Sequence, residues 1–217
     1  MTPRVYLAGP DVFLPDAAAW AARRAAICAR HGLAAISPLD ARDDDAACSH
    51  LPEWQRIARR NEAHIRDCDA VIANLTPFRG PSADVGTVYE LGFARALGLA
   101  VFGYTNCPVP FTQRSLDYVL THSVAMGSAG RVWRDGDGLL IEQFKRHDNL
   151  MIEGGIAGSG GILVVPEDEP ADRWRDLTTF ERCVAAAARA LTSPARAVRA
   201  RGVEPRSGST RDAKHRG

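Results

Sequence analysis

The chain has 217 residues, of which 46% are hydrophobic and 24% are charged, and its formal net charge is +1. This composition is typical of a globular protein large enough for a sizeable core, and the near-neutral charge predicts no general attraction to nucleic acid or acidic membranes. The sequence has no apolar run near the roughly 18 residues of a membrane span and no signal peptide, so we expect a cytoplasmic protein without membrane contacts.

The first half of the chain alternates strand-like and helix-like segments. An apolar run at residues 4–8 ends at Gly9-Pro10 and predicts a buried strand, and helices are predicted over 16–31 and 52–67. Further strands are predicted in LAAISP, AVIANL and LAVFGY, and a third helix in PSADVGTVYELGFARALG. This alternation predicts an α/β fold with a doubly wound parallel sheet.

The second half of the chain is less regular. Residues 105–150 mix glycine turns with two helix-like pieces, TQRSLDYVLTHSVAM and GLLIEQFKRHDN. The glycine-rich stretch 154–161 precedes a strand and lacks the lysine of a phosphate loop, so we interpret it as a flexible connection. A fifth strand in GGILVVPEDEP and a closing helix in LTTFERCVAAAARALT complete a predicted domain over residues 1–192.

The remaining 25 residues differ in character from the predicted domain. Residues 193–217 contain seven Lys or Arg, two acidic residues, many glycines and prolines, and few apolar side chains. Such a segment cannot bury enough apolar surface to offset the entropy of ordering. We therefore predict a basic, disordered C-terminal tail.

The predicted helix after the third strand carries two carboxyl groups of interest. Glu90 lies among small and apolar residues with no cation one turn away, and Gly86 leaves room for a ligand beside it. Because burial of an unpaired carboxylate is costly, Glu90 would face a cavity or a hydroxyl partner, unless it is simply solvated. Asp84 would be either a functional group or the cap of the helix. The residues alone leave these interpretations open.

Three segments together resemble the nucleoside 2-deoxyribosyltransferase family, over about residues 4–191. They are VYLAGPDVF, IRDCDAVIANLTPFRGPSADVGTVYELGFARAL and DNLMIEGG. The resemblance implies a flavodoxin-like fold with a five-stranded parallel sheet. It also implies transfer of 2-deoxyribose between nucleobases without metal or organic cofactor, with 2′-deoxyribonucleosides and free nucleobases as the substrates.

The resemblance also implies roles for individual residues. Glu90 matches the nucleophile, Asp84 the carboxylate that handles protons on the nucleobase, and Tyr6 the tyrosine that orients the glutamate. Asn149 resembles an asparagine that binds the deoxyribose 5′-hydroxyl in a neighbouring subunit's site, which implies a homodimer or higher homo-oligomer with shared active sites. The other positions matched to the substrate site are Gly9, Pro10, Phe13, Asp40, Asn61 and Gly86.

The implied reaction is a retaining double displacement through a glycosyl-Glu90 intermediate, in which the two carboxyl groups need opposite protonation states. We expect a hydrogen bond from Tyr6 to favour the charged form of Glu90. A drier setting would favour the neutral form of Asp84.

Two other functions stay open at this point. One is a related hydrolase that cleaves 2′-deoxynucleoside 5′-monophosphates, although its relatives lack the aspartate at position 84, whose charge would repel a phosphate. The other is a non-catalytic nucleoside-binding module. No metal site is predicted, because the six histidines show no ligand spacing and the five cysteines form no C-x-x-C pair.

Overall fold

The computed structural model describes residues 1–42, 48–119, 122–127 and 130–193. Its main sheet consists of β1 (Arg4–Ala8), β2 (Ala34–Ile36), β3 (Ala70–Asn74), β4 (Ala100–Tyr104) and β7 (Leu163–Val164). These five strands are parallel and lie in the order β2-β1-β3-β4-β7. The order confirms the predicted flavodoxin-like doubly wound fold, whose chain reverses its direction of winding between β1 and β3.

Helices cover the sheet on both faces. They are α1 (Ala17–Arg30), α2 (Glu53–Arg66), α3 (Val85–Ala96), α4 (Phe111–Tyr118), α5 (Leu150–Gly158) and α6 (Thr178–Thr192). The helices predicted over 16–31 and 52–67 are confirmed to within one residue at each end. Across the described ranges, no helix combines the length and apolar character needed to cross a bilayer.

The central strand β1 contributes to two separate hydrophobic cores. Because successive strand side chains point to opposite faces, Val5 and Leu7 enter one core, which also contains buried residues of α1 and α6. Tyr6 enters the other, with buried residues of α2, α3 and α5. This alternation directs Tyr6 to the face of the sheet that is covered by the helices carrying Asn61 and Glu90.

The region 105–150 differs from the sequence prediction. The first helix-like piece forms a helix only as far as Tyr118, and its end belongs to β5 (His122–Gly127), which pairs antiparallel with β6 (Gly130–Asp135). The second piece forms no helix, and it contributes a bridge between Arg134 and Leu140. Pairing across the hairpin has overridden the local helical spacing.

The glycine-rich stretch 154–161 was also predicted wrongly as a flexible connection, because α5 continues to Gly158. Its glycines allow α5 to approach α3 closely. The Arg95 guanidinium of α3 donates a hydrogen bond to the Gly155 carbonyl at 2.7 Å, and a Cβ at Gly158 would lie 2.6 Å from the same group. The basic tail predicted from residue 193 lies, apart from Ser193, outside the described residues, so the domain boundary stays a prediction.

Candidate active site

The loops after β1 and β3 meet the start of α3 at the carboxyl edge of the sheet. Asp84 begins this helix as its N-cap, because one carboxylate oxygen accepts hydrogen bonds from the backbone N–H and the hydroxyl of Thr87, both at 2.9 Å. Gly98, with a φ of 78°, follows the other end of the helix. These two signals place Glu90 in the middle of α3.

Two side chains from different elements meet at Glu90. The Tyr6 hydroxyl of β1 donates a hydrogen bond of 2.6 Å to Glu90 Oε1, and Asn61 Nδ2 of α2 donates one of 3.1 Å to the same oxygen. The described residues send no hydrogen bond to Oε2. The arrangement therefore fixes the carboxyl group through one oxygen and leaves the other for a ligand.

The surroundings of Glu90 change its ionisation. Burial raises the pKa of the partly buried Glu90 to about 7, while the hydrogen bonds from Tyr6 and Asn61 lower it and the charge of Asp84 raises it. The Tyr6 hydrogen bond is the one expected from the sequence. The effect of burial on Glu90 was not expected from the sequence, and the drier setting expected at Asp84 stays a prediction.

The segment after β1 forms a short 3-10 helix (Pro10–Phe13) at the rim of the site. Phe13 is 59% exposed and stacks on Phe78, which follows β3, with 5.4 Å between ring centroids and an interplanar angle of 10°. The Arg79 guanidinium lies over both rings, 5.2 Å from the Phe13 centroid and 4.5 Å from that of Phe78. The predicted base-contacting segment thus ends in an exposed aromatic surface.

Sequence reasoning missed the buried polar network that holds these loops. Asp11 accepts hydrogen bonds from Arg24 Nη1 at 2.8 Å, from Trp20 Nε1 at 3.1 Å, and from Asn74 Nδ2 at 3.1 Å. A Cβ at Gly9 would lie 2.4 Å from Asp11 Oδ2, so this glycine makes the network possible. The only signals in the sequence were a charged residue beside the Gly-Pro turn and an arginine within an alanine-rich helix.

Asp40 stays apart from the Glu90 cluster. Its carboxylate accepts a hydrogen bond from the Ser37 N–H at 2.8 Å and so closes its own exposed turn. Only its backbone approaches the site, because the Asp40 carbonyl lies 3.1 Å from His64 Nε2 and the His64 ring stacks on Tyr6.

Asn149 is also separate from the Glu90 cluster in its hydrogen bonds. It caps α5 by accepting a hydrogen bond from the Met151 N–H at 3.0 Å, and its Nδ2 donates to Glu142 Oε1 at 2.6 Å. Within the described ranges, no hydrogen bond joins Asn149 to Glu90. The structure thus shows no direct link between Asn149 and the glutamate in the described residues.

Asn149 lines an apolar groove between α3 and α5 with a volume of about 690 Å³. Val85 and Met151 stand at this groove with 84% and 72% of their surface exposed. Neither Glu90 nor Tyr6 lines it, so the groove and the glutamate cluster lie on different sides of α3. Across the described residues, no group of three His, Cys, Asp or Glu side chains is arranged to hold a metal ion.

Comparison with known proteins identifies a family and several similar chains. The model of the nucleoside 2-deoxyribosyltransferase family matches residues 5–151. An uncharacterized protein of Schizosaccharomyces pombe is 31% identical over 172 residues, which cover 75% of this chain and 81% of that protein. A 2-deoxyribosyltransferase from Leishmania mexicana has a similar structure, with a TM-score of 0.54 and 27% identity, covering 84% of this chain and 97% of that one. A conserved protein from Enterococcus faecalis V583 gives a TM-score of 0.48 and 17% identity, covering 85% of this chain and 98% of that one.

Proposed function

The chain belongs to the nucleoside 2-deoxyribosyltransferase family, and from this premise we propose that it transfers 2-deoxyribose from one nucleobase to another. The observation that carries the proposal is the hydrogen-bonded Glu90, which Tyr6 and Asn61 hold by one oxygen. A carboxylate that is fixed in this way and has a second oxygen available is arranged as a nucleophile. The family implies nucleoside and nucleobase substrates.

The proposed reaction has two displacements at the anomeric carbon. In the first, Glu90 Oε2 forms a bond with C1′ while the C1′–N bond breaks, and the departing base takes its electron pair and a proton from Asp84. In the second, a nitrogen of another base attacks C1′, gives its proton to Asp84, and releases Glu90. Two inversions leave the configuration at C1′ retained, as in retaining glycoside hydrolysis.

The pKa of Glu90, about 7, suits this role. An anion is required for attack, and with a pKa of about 7 a large fraction of Glu90 is ionised at neutral pH. Near neutral pH both forms of Glu90 are populated in the free protein, so a small change in hydrogen bonding alters the fraction that can react.

The exposed aromatic surface at Phe13 supports a place for the nucleobase. Because every base has a π-face, a flat aromatic side chain can stack on purines and pyrimidines alike. Gly9 and Pro10 form the turn that leads to Phe13, and Gly86 keeps the surface beside Asp84 free of a side chain. Asp40 already holds its own turn, and we give it no contact with the base.

We further propose that two copies of the chain complete each other's sites. Asn149 makes no hydrogen bond to the Glu90 cluster within the described part of the chain, and it lines the apolar groove between α3 and α5. A second copy seated on that groove would receive this Asn149 at the 5′-hydroxyl of a deoxyribose bound at its own Glu90. The exposed Val85 and Met151 support a contact at this surface.

A direct test incubates the protein with deoxyinosine and adenine and quantifies deoxyadenosine, hypoxanthine and free deoxyribose separately. We expect deoxyadenosine and hypoxanthine in equal amounts with little free sugar. Free deoxyribose as the main product, or a requirement for a 5′-monophosphate donor, would instead indicate the related hydrolase. Binding of nucleoside without any product would leave only a binding module.

The nucleophile is tested with a matched pair of variants. Glu90→Gln should lower transfer by roughly 10⁴-fold or more, because the amide cannot form the glycosyl ester. Glu62→Gln is the control, since Glu62 accepts a hydrogen bond of the same 2.6 Å length from Tyr89 on the exposed surface. Near wild-type transfer in Glu90→Gln would contradict the proposed intermediate.

A further inference from the structure

A buried carboxylate outside the Glu90 cluster holds the loop that leads to Asp84. Asp148, only 1% exposed, lies just before α5. The Ser82 hydroxyl donates a hydrogen bond to Asp148 Oδ1, and the Ala83 N–H donates one to Oδ2 at 3.0 Å. These two donors come from the pair of residues that immediately precede Asp84. The backbone N–H of Asn149 donates a third hydrogen bond, of 2.8 Å, to Asp148 Oδ1.

Arg114 of α4 reinforces the same connection. Its guanidinium lies 3.8 Å from Asp148 Oδ2 and is itself nearly buried. It donates hydrogen bonds to the Pro81 carbonyl at 2.8 Å and to the His147 carbonyl at 2.6 Å. The arginine therefore joins the segments on either side of the carboxylate, and Asp148 has its charge compensated where the two segments meet.

From these contacts we infer that Asp148 is a positioning residue for Asp84. The inference rests on the proposed function, in which Asp84 moves protons to and from the nucleobase. The hydrogen bond to Thr87 fixes Asp84 from the C-terminal side, and Asp148 fixes the chain from the N-terminal side. Without Asp148 the Ala83 N–H loses its buried acceptor, and the chain shifts to satisfy it. A shift of Asp84 by about 1 Å is enough to slow a proton transfer about 100-fold.

A purely structural role would slow every substrate alike, so the test compares two leaving bases. Hypoxanthine leaves deoxyinosine readily only when it is protonated. The base of 7-methyl-2′-deoxyguanosine already carries a positive charge and leaves as a neutral molecule without an added proton. Base release is measured for both nucleosides under single-turnover conditions with excess enzyme, after subtraction of spontaneous cleavage.

The variants separate the two ends of the connection. Asp148→Asn should slow base release from deoxyinosine about 100-fold and change release of 7-methylguanine less than about threefold. Ser82→Ala removes one donor to Asp148. It should also slow base release from deoxyinosine more than release of 7-methylguanine, but by a smaller factor than Asp148→Asn. Glu153→Gln is the control, because Glu153 accepts hydrogen bonds from the backbone of His147 and Asp148 without touching Ser82 or Ala83.

Asp84→Asn shows how the two rates of base release change when the proposed proton donor is absent. It therefore separates a failure of the proposed function from a failure of the positioning role. If wild-type protein releases base from neither nucleoside, or if Asp84→Asn slows both nucleosides equally, the proposed function or its proton donor is wrong. The positioning role is overturned by a different result. In that case Asp84→Asn slows base release from deoxyinosine more than from 7-methyl-2′-deoxyguanosine, whereas Asp148→Asn and Ser82→Ala slow both releases equally or leave both unchanged. Should Asp148→Asn fail to fold, the outcome with Ser82→Ala decides.

Discussion

Tyr6 and Glu90 form a hydrogen-bonded pair in which each partner controls the proton of the other. Burial, with the negative charge of Glu90 next in size, raises the pKa of Tyr6 far above its usual range, so the hydroxyl stays protonated and acts as the donor. The same hydrogen bond favours the anion of Glu90 and opposes the effect of burial on its pKa. The tyrosine thus helps to keep the proposed nucleophile ionised in a partly dry site.

Removal of the Tyr6 hydroxyl should move the pH profile of the reaction to higher pH. Glu90 has a pKa of about 7, and its anion attacks, so kcat/KM should rise as the pH increases through this value. Tyr6→Phe removes an influence that lowers the pKa, which raises it further and shifts the acid limb upward. We expect a loss of roughly tenfold or more at pH 6 and a smaller loss at pH 9.

The matched control for this prediction is Tyr89→Phe. Tyr89 donates a hydrogen bond of 2.6 Å to Glu62 on the exposed surface, the same length as the bond between Tyr6 and Glu90. Its removal should leave the pH profile where it is. A Tyr6→Phe profile that keeps its midpoint, or that moves to lower pH, would contradict the assignment of the acid limb to Glu90.

The sequence predicted part of this site for physical reasons. A carboxylate in a small, apolar stretch must find a partner or a cavity, and Glu90 has the partner expected at Tyr6. The networks around Asp11 and Asp148 could not be predicted in the same way. Their partners are up to 66 residues away in the chain, and no periodic pattern indicates which polar groups will meet. The spacing of apolar residues predicts which side chains form the cores, but it does not predict which buried polar groups contact one another.

At the scale of single elements, α5 shows why glycines mislead. Glycine is unfavourable within a helix, so a stretch with five glycines between 154 and 161 indicated a loop. In the structure, α5 lies against α3 so closely that Gly155 and Gly158 face the Arg95 side chain. Tertiary packing has outweighed helix propensity here. The other glycines of the stretch, Gly154, Gly160 and Gly161, have different surroundings.

Two substitutions in this stretch should have opposite effects on stability. Gly154 lies within α5, is exposed, and has nothing within 4 Å of an added Cβ, so Gly154→Ala should raise the free energy of unfolding by about 0.5–1 kcal/mol. A Cβ at Gly161 would lie 1.7 Å from the Val101 carbonyl oxygen of β4. Backbone cannot move aside cheaply, so Gly161→Ala should lower that free energy by about 2 kcal/mol or more.

Urea unfolding followed by circular dichroism measures both changes. Wild-type protein and the two variants should be compared at one protein concentration, because assembly would itself stabilise the fold. A destabilised Gly154→Ala would mean that residue 154 is not in a helix, as the sequence had suggested. A Gly161→Ala variant as stable as wild type would contradict the close approach to β4.

The hairpin of β5 and β6 is the other element that the sequence did not predict. Its apolar residues also fit a helical spacing, and a short segment of this kind cannot be assigned from periodicity alone. The strands are defined by their mutual pairing, with Val124 opposite Trp133 and Gly127 opposite Gly130. The alternation of strands and helices up to residue 104, in contrast, constrains the fold strongly, because parallel neighbours require crossover helices.

At the scale of the whole molecule, the proposed function raises the question of how Asn149 would reach a substrate bound at Glu90. The site at Glu90 is built from β1, α2 and α3, whereas Asn149 caps α5 and faces the groove on the other side of α3. Large exposed apolar side chains in one continuous groove usually mark a contact with another molecule. A symmetric pair would make the proposed contact twice, with the Asn149 of each copy directed to the Glu90 site of the other.

Met151→Glu should therefore convert an assembled protein into monomers and abolish transfer. Met151 is 72% exposed in the groove, and a carboxylate there would be buried without a partner on assembly, which costs several kcal/mol. Leu97→Glu is the control, since Leu97 is 44% exposed just after the C-terminal end of α3 and does not line the groove. Light scattering after size-exclusion chromatography gives the assembly state, and the deoxyinosine and adenine assay gives the activity.

Monomers that retain full transfer would show that each chain carries a complete site. An intact assembly in Met151→Glu would show that the contact between copies lies on another surface.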